Sequence, residues 1–255
     1  RPDHSGTSPP GKKRDMNDTF AKFIKDKQHI VVVQADNPDG DSLASALSLE
    51  HILEDLGHQV SLFCGVNIPT YLHYIPGWDR VSSFLPAQFD GSIIVDTSAL
   101  SLLETVAKSN DLHTIKSRPS AIIDHHATES TIDFAELLIV EPAVATCEII
   151  YKIAKANEWV INTEASEILA CGILSDSLGL MSESTTATSI QTIAELVEKG
   201  VSLAKLDSER RKLQKKSKEV LSYKGQLLSR IQYSDDSRVA YITIPWPEIE
   251  KYSHE

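Results

Sequence analysis

The chain has 255 residues, 41% hydrophobic and 24% charged, enough for one sizeable α/β domain or a large domain with part of a second. Its formal net charge of -11 excludes non-specific binding to a nucleic-acid backbone, duplex included, because such binding needs basic surface to replace condensed counterions. Three cysteines, Cys64, Cys147 and Cys171, lack paired spacing, which argues against a disulfide framework and for a cytoplasmic protein, and no apolar run approaches the roughly 18 residues that span a membrane.

Arg1 to Asp15 is rich in Pro, Gly, Ser and basic side chains and has no apolar signal core, so it reads as a disordered leader or cloning remnant, with Met16 as a natural start. Ile30-Val31-Val32-Val33 is a continuous β-branched run, apolar on both faces, as a central parallel strand requires. It enters the polar loop Gln34 to Asp41. From Ser42 to Leu56 the apolar residues Leu43, Ala46, Leu47, Leu53 and Leu56 make a helical stripe that Gly57 terminates. Gln59 to Cys64, Ser92 to Val95 and Ala121 to Ile123 repeat the strand pattern, each separated by room for a crossover helix, so the economical architecture is a doubly wound α/β sheet. Ala145 to Asn157, Glu164 to Ile173 and Thr186 to Lys199 read as further helices. Leu203 to about Arg230 reads as a charged helical linker, its basic cluster from Arg210 to Lys218 a solvated face under the negative total charge. Arg238 to Pro245 alternates as one strand, which cannot form a domain alone and so marks the start of a second one.

Ligands bind beyond the carboxyl ends of the strands in such sheets, and here those ends are acidic. Asp39-Gly40-Asp41 follows the first strand, and its glycine lets a tight turn aim both carboxylates at one point, although taken alone the motif reads more simply as Asp41 or Ser42 serving as a helix N-cap. Asp96 ends the third strand, Asp124-His125-His126 the fourth, and Asp176 follows the helix Glu164 to Ile173. Burying three polar groups at the end of Ala121-Ile122-Ile123 without partners costs about 2–7 kcal/mol each, so a divalent metal is the expected partner. The remaining histidines, such as His51, His58, His73 and His113, are expected on helix faces or loops.

Four motifs in order, Asn-Pro-Asp-Gly-Asp-Ser (Asn37 to Ser42), Ile-Val-Asp (Ile94 to Asp96), Asp-His-His (Asp124 to His126) and Gly-Ile-Leu-Ser-Asp-Ser (Gly172 to Ser177), resemble the DHH phosphoesterase family, and within it the nanoRNase and pAp phosphatase branch. The resemblance covers about Ile30 to Ile244. The fold it implies is α/β, a doubly wound, mainly parallel five-stranded sheet over residues 16–202, followed over 203–255 by a helical linker and the first strand of an incomplete DHHA1 domain, whose glycine-rich segment is absent. Position by position it implies one metal on Asp41, Asp96, His125 and Asp176, with Mn²⁺ expected and Mg²⁺ as the alternative. A second ion would use Asp39 and Asp96 with a histidine where this chain has Ala35, leaving Asp36 or Gln34 as substitutes, of which the carboxylate is the better. His126 would face the substrate phosphate and Asp124 would orient the pair. The implied activity is hydrolysis of short oligonucleotides, linear dinucleotides or nucleoside 3',5'-bisphosphates by hydroxide activated between metals. Two alternatives stay open, a pyrophosphatase or polyphosphatase and a catalytically impaired nucleotide- or metal-binding module. A homodimer is compatible with either.

Overall fold

A computed structural model describes residues 18–213 and 215–252; the expected leader and Met16 lie outside the described residues. The chain divides into two compact units at Arg210 and Arg211. The first holds a five-stranded parallel sheet, β1 (His29–Gln34), β2 (Gln59–Cys64), β3 (Gly91–Val95), β4 (Ser120–Asp124) and β5 (Leu137–Val140), in the order β2-β1-β3-β4-β5. The order reverses between β1 and β3, and at that switch point their carboxyl ends open a crevice. Of the five, β5 is not among the expected strands, although Leu137 to Val140 is a continuous apolar run; only Ile139 of the four is buried.

Helices cover both faces. On one face pack α1 (Gly40–Asp55), α4 (Thr146–Ala156) and α5 (Thr163–Asp176); on the other lie the short α2 (Glu104–Lys108) and α3 (Asp111–Lys116). The alternation within β1 explains its uniform hydrophobicity. Ile30 and Val32 face Leu43, Leu47 and Leu169, whereas Val31 and Val33 face Phe63, Leu103, Val106 and Ile115. α6 (Ala187–Glu198) follows, started by a reciprocal capping box between Thr186 and Ser189. Among the described residues no helix is long and apolar enough to cross a membrane.

The expected helical linker consists of two helices, α7 (Leu203–Leu213) and α8 (Lys218–Ser229), the second begun where Ser217 adopts an extended backbone and its side chain accepts from Val220 N. One expectation is corrected. The strand expected over 238–245 shrinks to β7 (Ala240–Tyr241), paired antiparallel with β6 (Gln232–Tyr233) and followed by α9 (Trp246–Tyr252). In this second unit Tyr223 stacks on Tyr252, and Glu248 accepts from Tyr223 Oη and Arg230.

α1 and α5 approach closely where two glycines remove side chains. A Cβ on Gly172 would collide with Cys147 Sγ and lie 2.9 Å from Asp41 Oδ1 and 3.0 Å from Ala44 Cβ. A helical Gly→Ala change gains about 1 kcal/mol in propensity, and overpacking a tight core costs about 1–3. The buried, hydrogen-bonded neighbours decide the sign here. Gly172→Ala is therefore expected to lower stability by about 1–2 kcal/mol in urea unfolding, and the double variant Gly172→Ala/Cys147→Ala to recover at least half of the loss. An unchanged midpoint in Gly172→Ala defeats this account.

Candidate metal centre

Helix α4 has no cap of its own, since Ala145 at its N-cap position offers no side-chain acceptor. Asp41, fully buried on α1, takes that place: its Oδ2 accepts from Thr146 N at 2.6 Å and its Oδ1 from Cys147 N at 3.1 Å. The helix start thus meets a carboxylate with free N–H groups and a favourable dipole. The same helix turn reaches a second acid, as Thr146 Oγ1 donates to Asp96 Oδ1 at 3.0 Å.

Asp96 follows β3 in the left-handed region, φ 61°, with its N–H donating to Ile123 O at 2.9 Å. A non-glycine residue there carries strain of about 1–2 kcal/mol, and the turn it makes brings the carboxylate back over the sheet edge. Asp39 is the N-cap of α1, its Oδ1 accepting from Asp41 N and Ser42 N at 3.0 and 2.9 Å. The tight turn expected at Gly40 is corrected: Gly40 is the first residue of α1, not a left-handed turn, and its missing side chain is required because a Cβ would collide with Ser175. Asp176 is the last residue of α5.

His125 unites these acids. Its Nδ1 lies 3.2 Å from Ala143 O, and because a carbonyl only accepts, that nitrogen carries the proton and Nε2 presents a lone pair. Nε2 is buried without a hydrogen-bond partner, 3.3 Å from Asp176 Oδ2, 3.5 Å from Asp96 Oδ1 and 4.0 Å from Asp41 Oδ2. Four groups of electron-pair donors facing one point repel one another unless a cation or protons intervene. The ionisation balance says the same. Burial, then the charges of Asp41 and Asp39, push the Asp176 carboxyl up to about 6, and the same causes raise Asp96 well above the carboxylate range. Burial raises Asp41 too, against His125 and the backbone bonds. One imidazole among carboxylates suits Mn²⁺ or Mg²⁺ better than a thiolate-seeking metal, so these residues fit a hard divalent ion.

His126 points elsewhere. Its Nδ1 bonds Asp124 Oδ1 at 2.7 Å, its backbone N–H donates to the same oxygen at 3.1 Å, and its ring is half-exposed. The Asp124 bond raises the His126 pKa against a smaller opposing effect of burial. For Asp124 burial acts upward, but hydrogen bonding, that of His126 first and that of Ser98 after it, outweighs it and holds the carboxyl below its ordinary range.

Two overlapping groups therefore have ligand atoms within 4.8 Å of one another, Asp41 with His125 and Asp176, and Asp96 with His125 and His126. Asp39 is exposed and lies in neither, although its charge raises both Asp96 and Asp176. Asp36 is not brought in: its Oδ2 accepts from Thr105 N at 2.6 Å, at the start of α2, while Ala35 is buried beside it. Gln34 is buried with neither amide atom bonded among the described residues. Of the other histidines, His73 stacks on Trp78 and His58 bonds Lys27 O. Sequence reasoning missed Thr146 and the Ala143 carbonyl, and the available signal was the alanine at a helix start that must find its cap elsewhere.

The family model of the DHH family, N-terminal domain, matches residues 29–173, more than half of the chain. The chain belongs to the DHH family. Curated relatives of this DHH chain include the bifunctional oligoribonuclease and PAP phosphatase NrnA of Thermus thermophilus, 26% identical over 200 residues that make 77% of this chain and 57% of that protein. The protein of the same name from Bacillus subtilis is 22% identical over 84% of this chain and 66% of its own length, and a probable manganese-dependent inorganic pyrophosphatase of Oceanobacillus iheyensis is 27% identical over 64% and 52%. The chain thus spans between about half and two thirds of the relatives it matches. The fold is shared with an exopolyphosphatase-related protein from Bacteroides fragilis, at TM-score 0.80 and 22% identity over 94% of this chain and 72% of that one.

A buried acid whose folded pKa is raised binds its proton in the native state while the unfolded chain has released it, so stability falls as pH rises through that window. Metal-stripped DHH chain is therefore expected to have a higher thermal midpoint at pH 5.5 than at pH 7.5, the window being set by Asp176 at about 6. Mn²⁺ should reverse the order. Asp96→Asn, which removes a repelling charge and keeps a residue that tolerates the left-handed region, should stabilise the metal-free chain by about 1–2 kcal/mol and abolish the Mn²⁺-induced rise. A normal Mn²⁺ response in that variant contradicts the assignment.

Proposed function

We propose that this DHH-family chain is a metal-dependent phosphoesterase acting on short phosphorylated nucleotides: short oligonucleotides, linear dinucleotides or nucleoside 3',5'-bisphosphates. The observation that carries this reading is the lone pair of His125 Nε2, buried and unpartnered among three carboxylates. Asp41, Asp96, His125 and Asp176 would hold one ion. Asp39 with Asp96 is the acidic pair left for a second, toward which Ala35 has no donor to offer. When bound, such ions supply Lewis acidity and an acidified water.

The chain's own groups do the rest. The α4 N–H groups and Thr146 Oγ1 occupy the outward lone pairs of Asp41 and Asp96, which keeps those carboxylates from rotating away. Ala143 O holds the His125 tautomer. Asp124 anchors Nδ1 of His126 and favours its protonated ring, so the free Nε2–H can donate to a phosphate oxygen or to the departing oxygen. The NrnA relatives support a nucleotide substrate, and the pyrophosphatase relatives make pyrophosphate the competing one.

The test is a direct comparison. With Mn²⁺, a ribodinucleotide and a nucleoside 3',5'-bisphosphate should be hydrolysed faster than pyrophosphate. His125→Ala should lose roughly 100-fold or more, and His126→Ala roughly 100-fold at unchanged Mn²⁺ affinity. Faster pyrophosphate turnover overturns the substrate assignment, and unaltered turnover in both variants overturns the site.

A further inference from the structure

A pocket of about 400 Å³ opens beside the acid cluster, inside the first unit, where Tyr74, Leu174, Ser175, Leu178 and Leu206 meet under the rim residue Arg210. That volume falls within the about 300–1,000 Å³ of small-molecule sites. It adjoins the candidate centre through α5, since Ser175 precedes Asp176. It also adjoins the first turn of α1, since Tyr74 Oη lies 3.9 Å from where a Gly40 Cβ would stand.

Its walls have a definite chemistry. Leucines from α5, α7 and the loop after α5 make the faces. Tyr74 Oη and Ser175 Oγ, both half-buried in its lining, have no hydrogen-bond partner among the described residues and so are left for a ligand. At the rim Arg210 donates to Asp207 at 2.8 Å, placing a donor and an acceptor side by side. Burial pushes the Tyr74 hydroxyl up to about 12, so it stays a donor at any working pH.

One edge of the pocket is strained. Leu178, Gly179 and Leu180 occupy the left-handed region in succession, at φ 52°, 71° and 70°. Two leucines there cost about 1–2 kcal/mol each. Ser177 and Leu174 impose it: Leu180 N donates to Ser177 Oγ, Met181 N to Ser177 O and Gly179 N to Leu174 O, each at 2.8 Å. The result is a leucine at the pocket edge that is 74% exposed, an arrangement that folding alone does not reward. Backbone strain of this kind gathers at ligand clamps.

We propose that this pocket is a nucleobase subsite, taking the base of a nucleotide whose phosphate lies at the acid cluster; the proposal rests on the phosphoesterase reading above. A planar heterocycle matches apolar faces and leaves a polar edge for the two hydroxyls and the Asp207–Arg210 pair. Pyrophosphate gains nothing from leucine walls, and an alkyl chain leaves the hydroxyls unpaired.

The experiment compares adenosine 5'-monophosphate with ribose 5-phosphate on the full Mn²⁺-loaded chain by calorimetry. The monophosphate should bind about tenfold tighter or more, and Tyr74→Phe, Leu178→Ala and Arg210→Ala should each cut that ratio by about 3-fold or more. With diamagnetic Mg²⁺ in place of Mn²⁺, saturation of leucine methyls should transfer to the adenine H2 and H8 protons. A ratio near one, a ratio untouched by all three variants, or no transfer overturns the proposal. Because Leu178 and Arg210 are exposed, their variants test it even where Tyr74→Phe is unstable. The Mn²⁺ dependence of ribose 5-phosphate binding reads the acid cluster separately: its absence defeats the phosphoesterase reading while the base ratio still judges the pocket.

Discussion

The arrangement at the sheet edge depends on one interaction, the fully buried carboxylate of Asp41 seated on the uncapped start of α4. A buried charge is tolerated only with strong partners, and an uncapped helix start supplies two N–H groups and a positive field. Each half solves the other's difficulty. The five residues from Ala143 to Cys147 then orient three of the acid-cluster side chains at once: the Ala143 carbonyl sets the His125 tautomer, Thr146 Oγ1 holds Asp96, and the N–H groups of Thr146 and Cys147 hold Asp41.

The cluster carries its own destabilisation. Burial raises the proton affinity of Asp41, burial together with the charges of Asp41 and Asp39 raises that of Asp96 and Asp176, and Asp96 holds a left-handed backbone as well. These costs are repaid elsewhere in the first unit, by a sheet buried on both faces and by α1 and α5 packed to glycine distance. A cation is the one ligand that turns mutual repulsion into attraction without rearranging the scaffold.

Close packing also links the cluster to the neighbouring pocket. Gly40 lets α1 meet the last turn of α5, so Ser175 lines the pocket while Asp176 faces His125. The second unit, with its short β6–β7 pair, contributes none of these residues.

By itself the sequence determined four of the five parallel strands, the longer helices and the acidic residues at their ends, because hydrophobic period and the cost of burying charge are local properties. Ile30 to Val33 could be read as a two-faced strand, and Asp124-His125-His126 as an anomaly that asks for a cation. β5 was missed although Leu137-Leu138-Ile139-Val140 is a continuous apolar run like that of β1, so its signal was present in the residues. What only the tertiary structure decided is which donors are free. That Asp36 turns to the start of α2, that Asp39 caps α1, that Gly40 serves packing rather than a turn, and that Thr146 completes Asp96 all depend on segments distant along the chain. A hydrogen bond across such a distance leaves no mark in the residues beside it, so the chemistry was legible before the geometry that directs it.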